Sequence, residues 1–228
     1  MKHYRSSIPK TAKEHVLATH LKGPVTFKAE YVLNDEVVGI RQFDEQGHLE
    51  FERPMKEGVT HGVHYGCEDG IVTLAEPFRR GLAHGTARQW SNDGELIGTY
   101  SMKNGTGLDL WRIKADWGNG RIYLSEARYL KEGKWHGFEW WLNDDQKSVD
   151  NENHFWENLQ HGIQRSWNNQ NRLRRGYPRY WVRNVRVSKR KYLRECVRDP
   201  NLPPYRSVYD LPARTFPPEV REHCTSVD

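Results

Sequence analysis

Short runs of alternating apolar and polar residues, separated by turn-forming residues, extend along most of the chain. The clearest run is Gly85–Trp90, which lies between a turn at Gly81 and a tight turn at Asn92-Asp93-Gly94. This arrangement is typical of an antiparallel β-hairpin. Another strand-like run, at 25–33, precedes it and is predicted to open the series of hairpins.

The hairpin pattern recurs at a nearly constant interval, which is marked by a glycine. The marker glycines are Gly39, Gly62, Gly85, Gly107, Gly137 and Gly162. Four of them follow a histidine, namely His61, His84, His136 and His161, while Val38 and Thr106 stand in the other two copies. The spacing varies only from 22 to 30 residues. A period in this range predicts an array of structural repeats.

When the repeats are aligned on the marker glycine, three positions at fixed offsets from it form columns of similar residues. The next residue is Ile40, Val63, Thr86, Leu108, Phe138 or Ile163. Two residues after the glycine come Arg41, His64, Ala87, Asp109, Glu139 and Gln164. Four residues before it stand Asp35, Gly58, Gly81, Gly133 and Asn158, while Asn104-Gly105 serves the Gly107 copy. We therefore expect the first column in the core, including Phe138 and Ile163, the second on the opposite face, and the third in left-handed turns.

The two ends of the chain differ from the repeats. In the lead-in, 1–24, a capping-box pattern at Thr11–Glu14 and a short apolar stripe predict a helix that covers an open sheet edge. The repeat domain is predicted at 25–187. In the final segment, 188–228, we expect a helix that is capped by Ser188 and stopped by Asp199-Pro200, and then a proline-rich tail that is extended on the sheet or partly disordered.

The motif Gly-x-x-His-Gly, followed by an aromatic-rich strand and then Asp-Gly or Asn-Gly, resembles the MORN repeat in its bacterial variant form. The match covers about 30–187 and is most specific at 55–100 and 129–171. The resemblance implies an all-β fold, an elongated, single-layer twisted antiparallel sheet of successive hairpins. Bacterial relatives are described as antitoxin or immunity proteins, and eukaryotic relatives as scaffolds that bind acidic phospholipids.

The composition agrees with a thin sheet whose two faces are largely exposed to solvent. The chain is 36% hydrophobic and 29% charged, and its mean hydropathy is −0.92, yet it carries nine tryptophans. No apolar run is long enough for a transmembrane helix, and the amino terminus lacks the apolar core of a signal peptide. The three cysteines are widely spaced and odd in number, which favours reduced thiols in the cytoplasm.

The sequence offers little chemistry for catalysis or for cofactors. Equivalent histidines in successive hairpins lie roughly 10 Å apart and cannot share one metal ion, so we expect each to bind a turn carbonyl. His61 and His64 alternate across a strand, which argues against a shared metal with Cys67. No spacing of acidic residues indicates an acid/base pair. We therefore predict no catalytic residues, no metal and no cofactor.

A basic strip stands out near the end of the repeats. Between Arg172 and Arg194 there are ten basic residues and no acidic ones. The candidate partner-binding residues are Arg172, Arg174, Arg175, Tyr177, Arg179, Tyr180, Trp181, Arg183 and Arg186. The strip is interpreted either as a solvated face that offsets acids elsewhere or as a site for an acidic protein surface, acidic phospholipid or nucleic acid. Our interpretation is a protein-binding module, with a phospholipid-binding scaffold as the alternative and nucleic acid disfavoured.

Overall fold

The computed structural model describes residues 2–21, 23, 25–115, 120–214 and 216–224. The fold is all-β and consists of antiparallel hairpins with a few short helices, as the sequence predicts. The hairpins form two sheets, and the chain divides into two compact units, Met1–Gly105 and Thr106–Asp228. The expected array is therefore divided between Gly105 and Thr106.

The first unit contains one antiparallel sheet. Its strands are β1 (Lys13–Thr19), β2 (Thr26–Leu33), β3 (Glu36–Phe43), β4 (Leu49–Lys56), β5 (Val59–Thr60), β6 (Gly62–Glu68), β7 (Ile71–Arg79), β8 (Leu82–Ala83), β9 (Gly85–Trp90) and β10 (Leu96–Met102). The spatial order is β1-β2-β3-β4-β6-β7-β9-β10, so consecutive long strands are neighbours. The two-residue strands β5 and β8 pair with β4 and β7.

The second unit repeats this plan. Its strands are β11 (Gly107–Lys114), β12 (Ile122–Lys131), β13 (Lys134–Leu142), β14 (Val149–Trp156), β15 (Leu159–Gln160), β16 (Gly162–Ser166), β17 (Arg179–Val182) and β18 (Val185–Val187). The order is β11-β12-β13-β14-β16-β17-β18, and β15 pairs with β14. The loop between β11 and β12, for which an extension was predicted at 115–120, lies partly outside the described residues.

The predicted turns are confirmed. Each is a pair of residues with positive φ between 48° and 81°: Asn34-Asp35, Glu57-Gly58, Arg80-Gly81, Asn104-Gly105, Glu132-Gly133 and Glu157-Asn158. A further pair of this kind, Arg183-Asn184, was not predicted. Two consecutive positive φ angles define the hairpin turn whose twist matches that of the strands. Asn104-Gly105 replaces the missing glycine of its repeat, as predicted. The turn at Arg183-Asn184 adds a repeat that the sequence pattern did not reveal.

The predicted amino-terminal helix is wrong. Residues Lys13–Thr19 form strand β1, which pairs with β2. Glu14 does not close a capping box, because its carboxylate accepts the hydroxyl of Tyr31 on β2. Val16 and Leu17, expected on the apolar face of a helix, are about half exposed at 49% and 51%. Edge pairing with β2 has overridden the local helix signal.

The column next to the marker glycine is only partly core. Ile163 is buried, whereas Phe138 is half-buried against Trp140 and His154. The second column lies on the opposite face except in the first copy, where Arg41 donates to the buried Glu52 on the core side. Nor is it simply a solvated column. Asp109 and Glu139 are buried in it, because ionic and amide neighbours on the same face replace their contact with water.

The predicted carboxyl-terminal helix is confirmed, whereas the tail after it is not simply extended. Helix α1 (Lys189–Arg198) begins after Ser188, whose side chain accepts the Lys191 N–H at 3.3 Å, and ends at Asp199. A short 3₁₀ turn (Ser207–Asp210) and helix α2 (Pro218–Arg221) follow in the tail. The core beneath α1 contains Ile163, Tyr180, Tyr192 and Leu202. The tail therefore completes the core of the second unit.

Candidate functional site

One face of the second sheet is covered by α1 and the tail. Tyr192 of α1 packs against Tyr180 of β17, with ring centroids 5.2 Å apart. At the other end of the sheet, Arg112 of β11 donates to the carbonyl of His223 at 3.2 Å. The tail thus crosses the sheet from its last strands back to its first strand. We call this side the covered face of the second sheet, and the opposite side its open face.

A buried glutamate anchors the tail to the covered face. Glu152 is 1% exposed and accepts hydrogen bonds from Arg165 of β16, from the Trp140 indole at 2.9 Å and from Arg214 of the tail at 2.7 Å. Burial alone would raise the pKa of Glu152, but Arg165 and Arg214 outweigh it and hold the pKa below its usual value. The carboxylate is therefore charged, and its partners come from two strands and the tail.

The first sheet buries a glutamate in the same way. Glu52 is 0% exposed and accepts hydrogen bonds from Arg41 of β3 at 2.8 Å, from Ser6 at 2.9 Å and from the hydroxyl of Tyr4. Ser6 and Tyr4 belong to residues 3–8, which we call the amino-terminal segment. Ile8 of this segment packs against Ala29 and Tyr31. The amino-terminal segment thus lies on what we call the covered face of the first sheet.

Sequence reasoning missed these two glutamates, although the repeat contained a signal for them. Glu52 and Glu152 lie ten residues before Gly62 and Gly162, so they occupy the same repeat position. The corresponding residue is alanine in three other copies, Ala29, Ala75 and Ala127, and all three are buried. A charged residue in a column of small apolar ones indicates a buried ion with a dedicated partner. Comparison of this column would have identified both sites.

The open face of the second sheet carries exposed tryptophans. Trp111 of β11, Glu126 of β12, Trp141 of β13 and Asn151 of β14 are direct cross-strand partners and form one row. Trp111 and Trp141 are 36% and 48% exposed, and Trp135, at 37%, lies further along β13. Large aromatic surfaces that remain in contact with water on an ordered sheet are typical of binding sites.

A charged row lies beside the tryptophans on the same face. Asp109, Arg128, Glu139 and Asn153 are successive cross-strand partners. Arg128 pairs with Glu126 at 2.5 Å and lies 3.6 Å from Asp109, and Asn153 donates to Glu139 at 2.7 Å. Burial raises the pKa of Glu126 to about 7, although Arg128 opposes the shift. The open face therefore combines aromatic surface with a row of charged and polar side chains that contact one another.

The structure distributes the predicted basic strip over several surfaces. Arg172, Arg174 and Arg175 lie in the loop between β16 and β17, where they are exposed. Arg179 and Trp181 lie on the open face, as their cross-strand partners Gln164 and Arg186 show. The Arg179 guanidinium lies 4.3 Å from the Tyr177 ring centroid, and the Trp181 indole donates to Gln164 at 3.2 Å. Arg183 is in the turn between β17 and β18.

Some members of the strip have structural roles. Tyr180 is 6% exposed and belongs to the core on the covered face, so it is not a surface residue. Arg174 pairs with Asp150 at 2.8 Å, and Arg183 lies 3.4 Å from Asp199. In contrast, Arg172, Arg175 and Arg186 are exposed and have no acidic partner among the described residues. These three arginines, together with the exposed Arg190, Lys191 and Arg194 of α1, carry positive charge that is not offset by a described acidic partner.

Three of the four marker histidines, His61, His84 and His161, accept a turn amide rather than bind the turn carbonyl that was predicted. Nδ1 of His161 accepts the backbone N–H of Arg183 in the next turn at 3.1 Å, and His84 accepts that of Asn104 at 3.2 Å. Thr106, which replaces the histidine in its copy, accepts the N–H of Glu132 at 3.0 Å. In four copies the marker position therefore supplies an acceptor that joins one hairpin to the following turn.

The thiols and ionisable groups show no arrangement for metal or thiol chemistry in the described part of the chain. No three His, Cys, Asp or Glu side chains there could hold a metal ion together. Burial raises the pKa of Cys67 to about 11, and it also raises the pKa of Cys196 despite the basic residues near it in sequence. None of the described helices is both long and apolar enough to span a bilayer.

The fold and site define a β-hairpin repeat protein with two sheets, in which each sheet carries a terminal segment on one face. No family model matches the chain, and no curated protein matches its sequence.

Proposed function

We propose that the chain is a non-catalytic protein-binding module of the cytoplasm, related to the MORN-repeat family. Its contact surface is the open face of the second sheet. The observation that carries this proposal is the set of exposed tryptophans, Trp111, Trp135 and Trp141, on a sheet whose opposite face is covered. By the resemblance, the role that fits such a module is that of an antitoxin or immunity protein.

The composition of the open face favours a protein partner. Tryptophan and arginine are enriched at the energetic centres of protein interfaces, where they supply large contact areas at little entropic cost. Trp111 and Trp141 flank Glu126 in one row, and Arg128 crosses to Asp109 in the next. The Arg128 side chain is held by Glu126 and Asp109 before a partner arrives. A surface ordered in advance loses less entropy on binding.

The charge at the edge of this face favours a partner with an acidic surface. Arg172, Arg175 and Arg186 are exposed near the last strands and have no acidic partner in the described residues. Such charges attract an acidic protein at long range and accelerate its association. Reversal of all three to Glu should therefore slow association and weaken its dependence on salt, without a large change in thermal stability.

The experiment compares two matched double variants in co-purification from the native host. Trp111→Ala/Trp141→Ala removes apolar surface from the open face, and Leu193→Ala/Val197→Ala removes it from the exposed side of α1. We expect a stoichiometric partner to co-purify with the wild type and the α1 variant but not with the tryptophan variant. Equal recovery of that partner with all three proteins would contradict the proposal.

Helix α1 favours a second candidate function, binding to acidic phospholipid. Arg190, Leu193, Arg194 and Val197 share one side of the helix, and Val197 is 87% exposed. Exposed apolar residues among arginines are typical of helices that lie on a membrane surface. In sedimentation with vesicles that contain phosphatidylserine, this function predicts that Leu193→Ala/Val197→Ala reduces binding and Trp111→Ala/Trp141→Ala does not. The opposite order would exclude it.

A further inference from the structure

A groove of about 490 Å³ lies in the first unit, beside the amino-terminal segment and on the covered face of the first sheet. Its walls come from that segment and from strands β6, β7 and β9. The lining residues are His3, Tyr4, Arg5, Val63, Tyr65, Ala75, Pro77, Arg88 and Trp90. This volume lies within the range of small-molecule sites in proteins.

The floor of the groove is formed by a small side chain between two large ones. Tyr65 of β6, Ala75 of β7 and Arg88 of β9 are successive cross-strand partners and point to the same side of the sheet. Tyr65 and Arg88 are separated by two strand spacings, roughly 10 Å. Ala75 contributes only a methyl group between these two larger side chains, and at 8% exposed it forms the base of the groove.

Aromatic rings line the sides of this space. Trp90 stacks on His3 with ring centroids 4.8 Å apart and an angle of 14°, and Tyr4 packs edge-on against Tyr65 at 5.0 Å. Trp90 and Tyr65 belong to the same buried cluster, so their orientation is fixed. Fixed aromatic side chains provide favourable contact for a planar ring of a ligand.

The polar groups that remain for a ligand are cationic. The hydroxyl of Tyr4 donates to Glu52, and that of Tyr65 donates to the Arg5 carbonyl at 3.1 Å, so both are engaged. The lining contains no carboxylate. The guanidinium groups of Arg5 and Arg88 are exposed and form no ion pair with the described residues. Arginine binds phosphate through two parallel hydrogen bonds, which matches the geometry of an anionic ligand.

We propose that this groove binds a small anionic ligand with a planar ring, of the class of nucleoside monophosphates. The ring packs at the base of the groove against Ala75, Tyr65 and Trp90, and the phosphate is held by Arg5 and Arg88. The site lies entirely in the first unit and does not depend on the open face of the second sheet.

Isothermal titration calorimetry of the full chain with the four ribonucleoside monophosphates tests the proposal, with adenosine and inorganic phosphate as separate ligands. We expect at least one nucleotide to bind, and adenosine and phosphate each to bind at least tenfold more weakly. Arg88→Glu should lower nucleotide affinity at least tenfold. Lys103→Glu, which makes the same charge change at an exposed residue outside the groove, should alter it less than twofold.

A second variant tests the position of the ring. Ala75→Leu fills the space above the floor and should abolish nucleotide binding while phosphate binding persists, and the thermal midpoint will show whether the variant is folded. The proposal is overturned if no nucleotide binds, if Arg88→Glu binds as tightly as the wild type, or if phosphate binds as tightly as the nucleotides. Binding unchanged by Ala75→Leu would also overturn it.

Discussion

The two sheets bury a glutamate at the same repeat position, but the partners of the two carboxylates differ. Glu152 in the second sheet is bound by two arginines and an indole, and one of these arginines, Arg214, comes from the carboxyl-terminal tail. Glu52 in the first sheet is bound by Arg41 and by two hydroxyl groups of the amino-terminal segment. The same repeat position therefore joins a different chain terminus to each sheet.

The difference shows how a repeat protein covers one face of its sheet. Each hairpin buries one face only if another part of the chain covers it, and the repeats themselves cannot supply that part. In the second unit the tail and α1 cover the sheet from β18 to β11. In the first unit a six-residue segment covers less of the sheet and leaves the groove above Ala75. The comparison predicts that the stability of the second unit depends more strongly on Glu152 than the stability of the first unit depends on Glu52.

The largest effect is expected for Glu152→Ala. The variant leaves Arg165, whose side chain is 4% exposed, without its counter-charge, and Arg214 loses its anchor. Removal of one partner from a buried ion pair costs about 3–5 kcal/mol. Urea denaturation should show this loss, whereas Glu157→Ala, at an exposed turn, should change the free energy of unfolding by less than about 0.5 kcal/mol. Similar values for the two variants would contradict the anchor role.

Acid should destabilise both units, and the buried histidine with the largest pKa shift in each unit should contribute most. Burial lowers the pKa of His64 in the first unit and of His154 in the second to about 4, below the ordinary 6.5. Because the unfolded state binds the proton more tightly, stability is fully present above pH 6.5 and is lost as the pH falls toward 4. The loss is up to about 3 kcal/mol for each histidine.

The pH effect is measured as the free energy of unfolding between pH 7 and pH 4.5. His64→Gln and His154→Gln should each flatten this dependence, because glutamine does not titrate. The matched control is His15→Gln, at an exposed position on β1, which should leave the slope unchanged. If the two buried-site variants retain the wild-type slope, the histidines are not protonated on unfolding in this range.

A smaller effect is expected for Glu52→Ala. Two of its partners, Tyr4 and Ser6, are hydroxyl groups on an exposed segment, and the Arg41 side chain is 24% exposed and can reach water. The loss should be about 2 kcal/mol, close to that of a lost charged hydrogen bond. Hydrogen exchange should also accelerate in residues 3–8 but not in the tail. A larger loss of unfolding free energy for Glu52→Ala than for Glu152→Ala would contradict the expected difference between the two units.

The sequence was sufficient to predict most turns and strands, though not strand β1 or the Arg183-Asn184 turn, because most of them depend on local chemistry. Asp35 and Gly58 adopt positive φ, and Ser188 caps its helix, as their residue types favour. The amino-terminal helix was predicted wrongly because pairing of Lys13–Thr19 with β2 is not encoded in the segment itself. Such non-local pairing outweighs a short capping signal.

The candidate site was less predictable than the fold. The basic strip is continuous in sequence, but strand alternation places Trp181 on the open face and Tyr180 in the core. Trp111 and Glu126 are fifteen residues apart and become neighbours only through the register of β11 and β12. Contacts of this kind depend on strand register. When the repeats differ in length, the spacing of residues in the sequence does not determine which residues pair across the strands.

The separation of a structural face from a binding face in the second sheet is tested most directly by two adjacent residues on β13. Trp140 lies on the covered face and is 4% exposed, whereas Trp141 lies on the open face and is 48% exposed. The measurement is the free energy of unfolding of Trp140→Ala and Trp141→Ala. We predict a loss of about 3–5 kcal/mol for Trp140→Ala and of about 1 kcal/mol or less for Trp141→Ala. Equal losses, or a larger loss for Trp141→Ala, would contradict the assignment of the two faces.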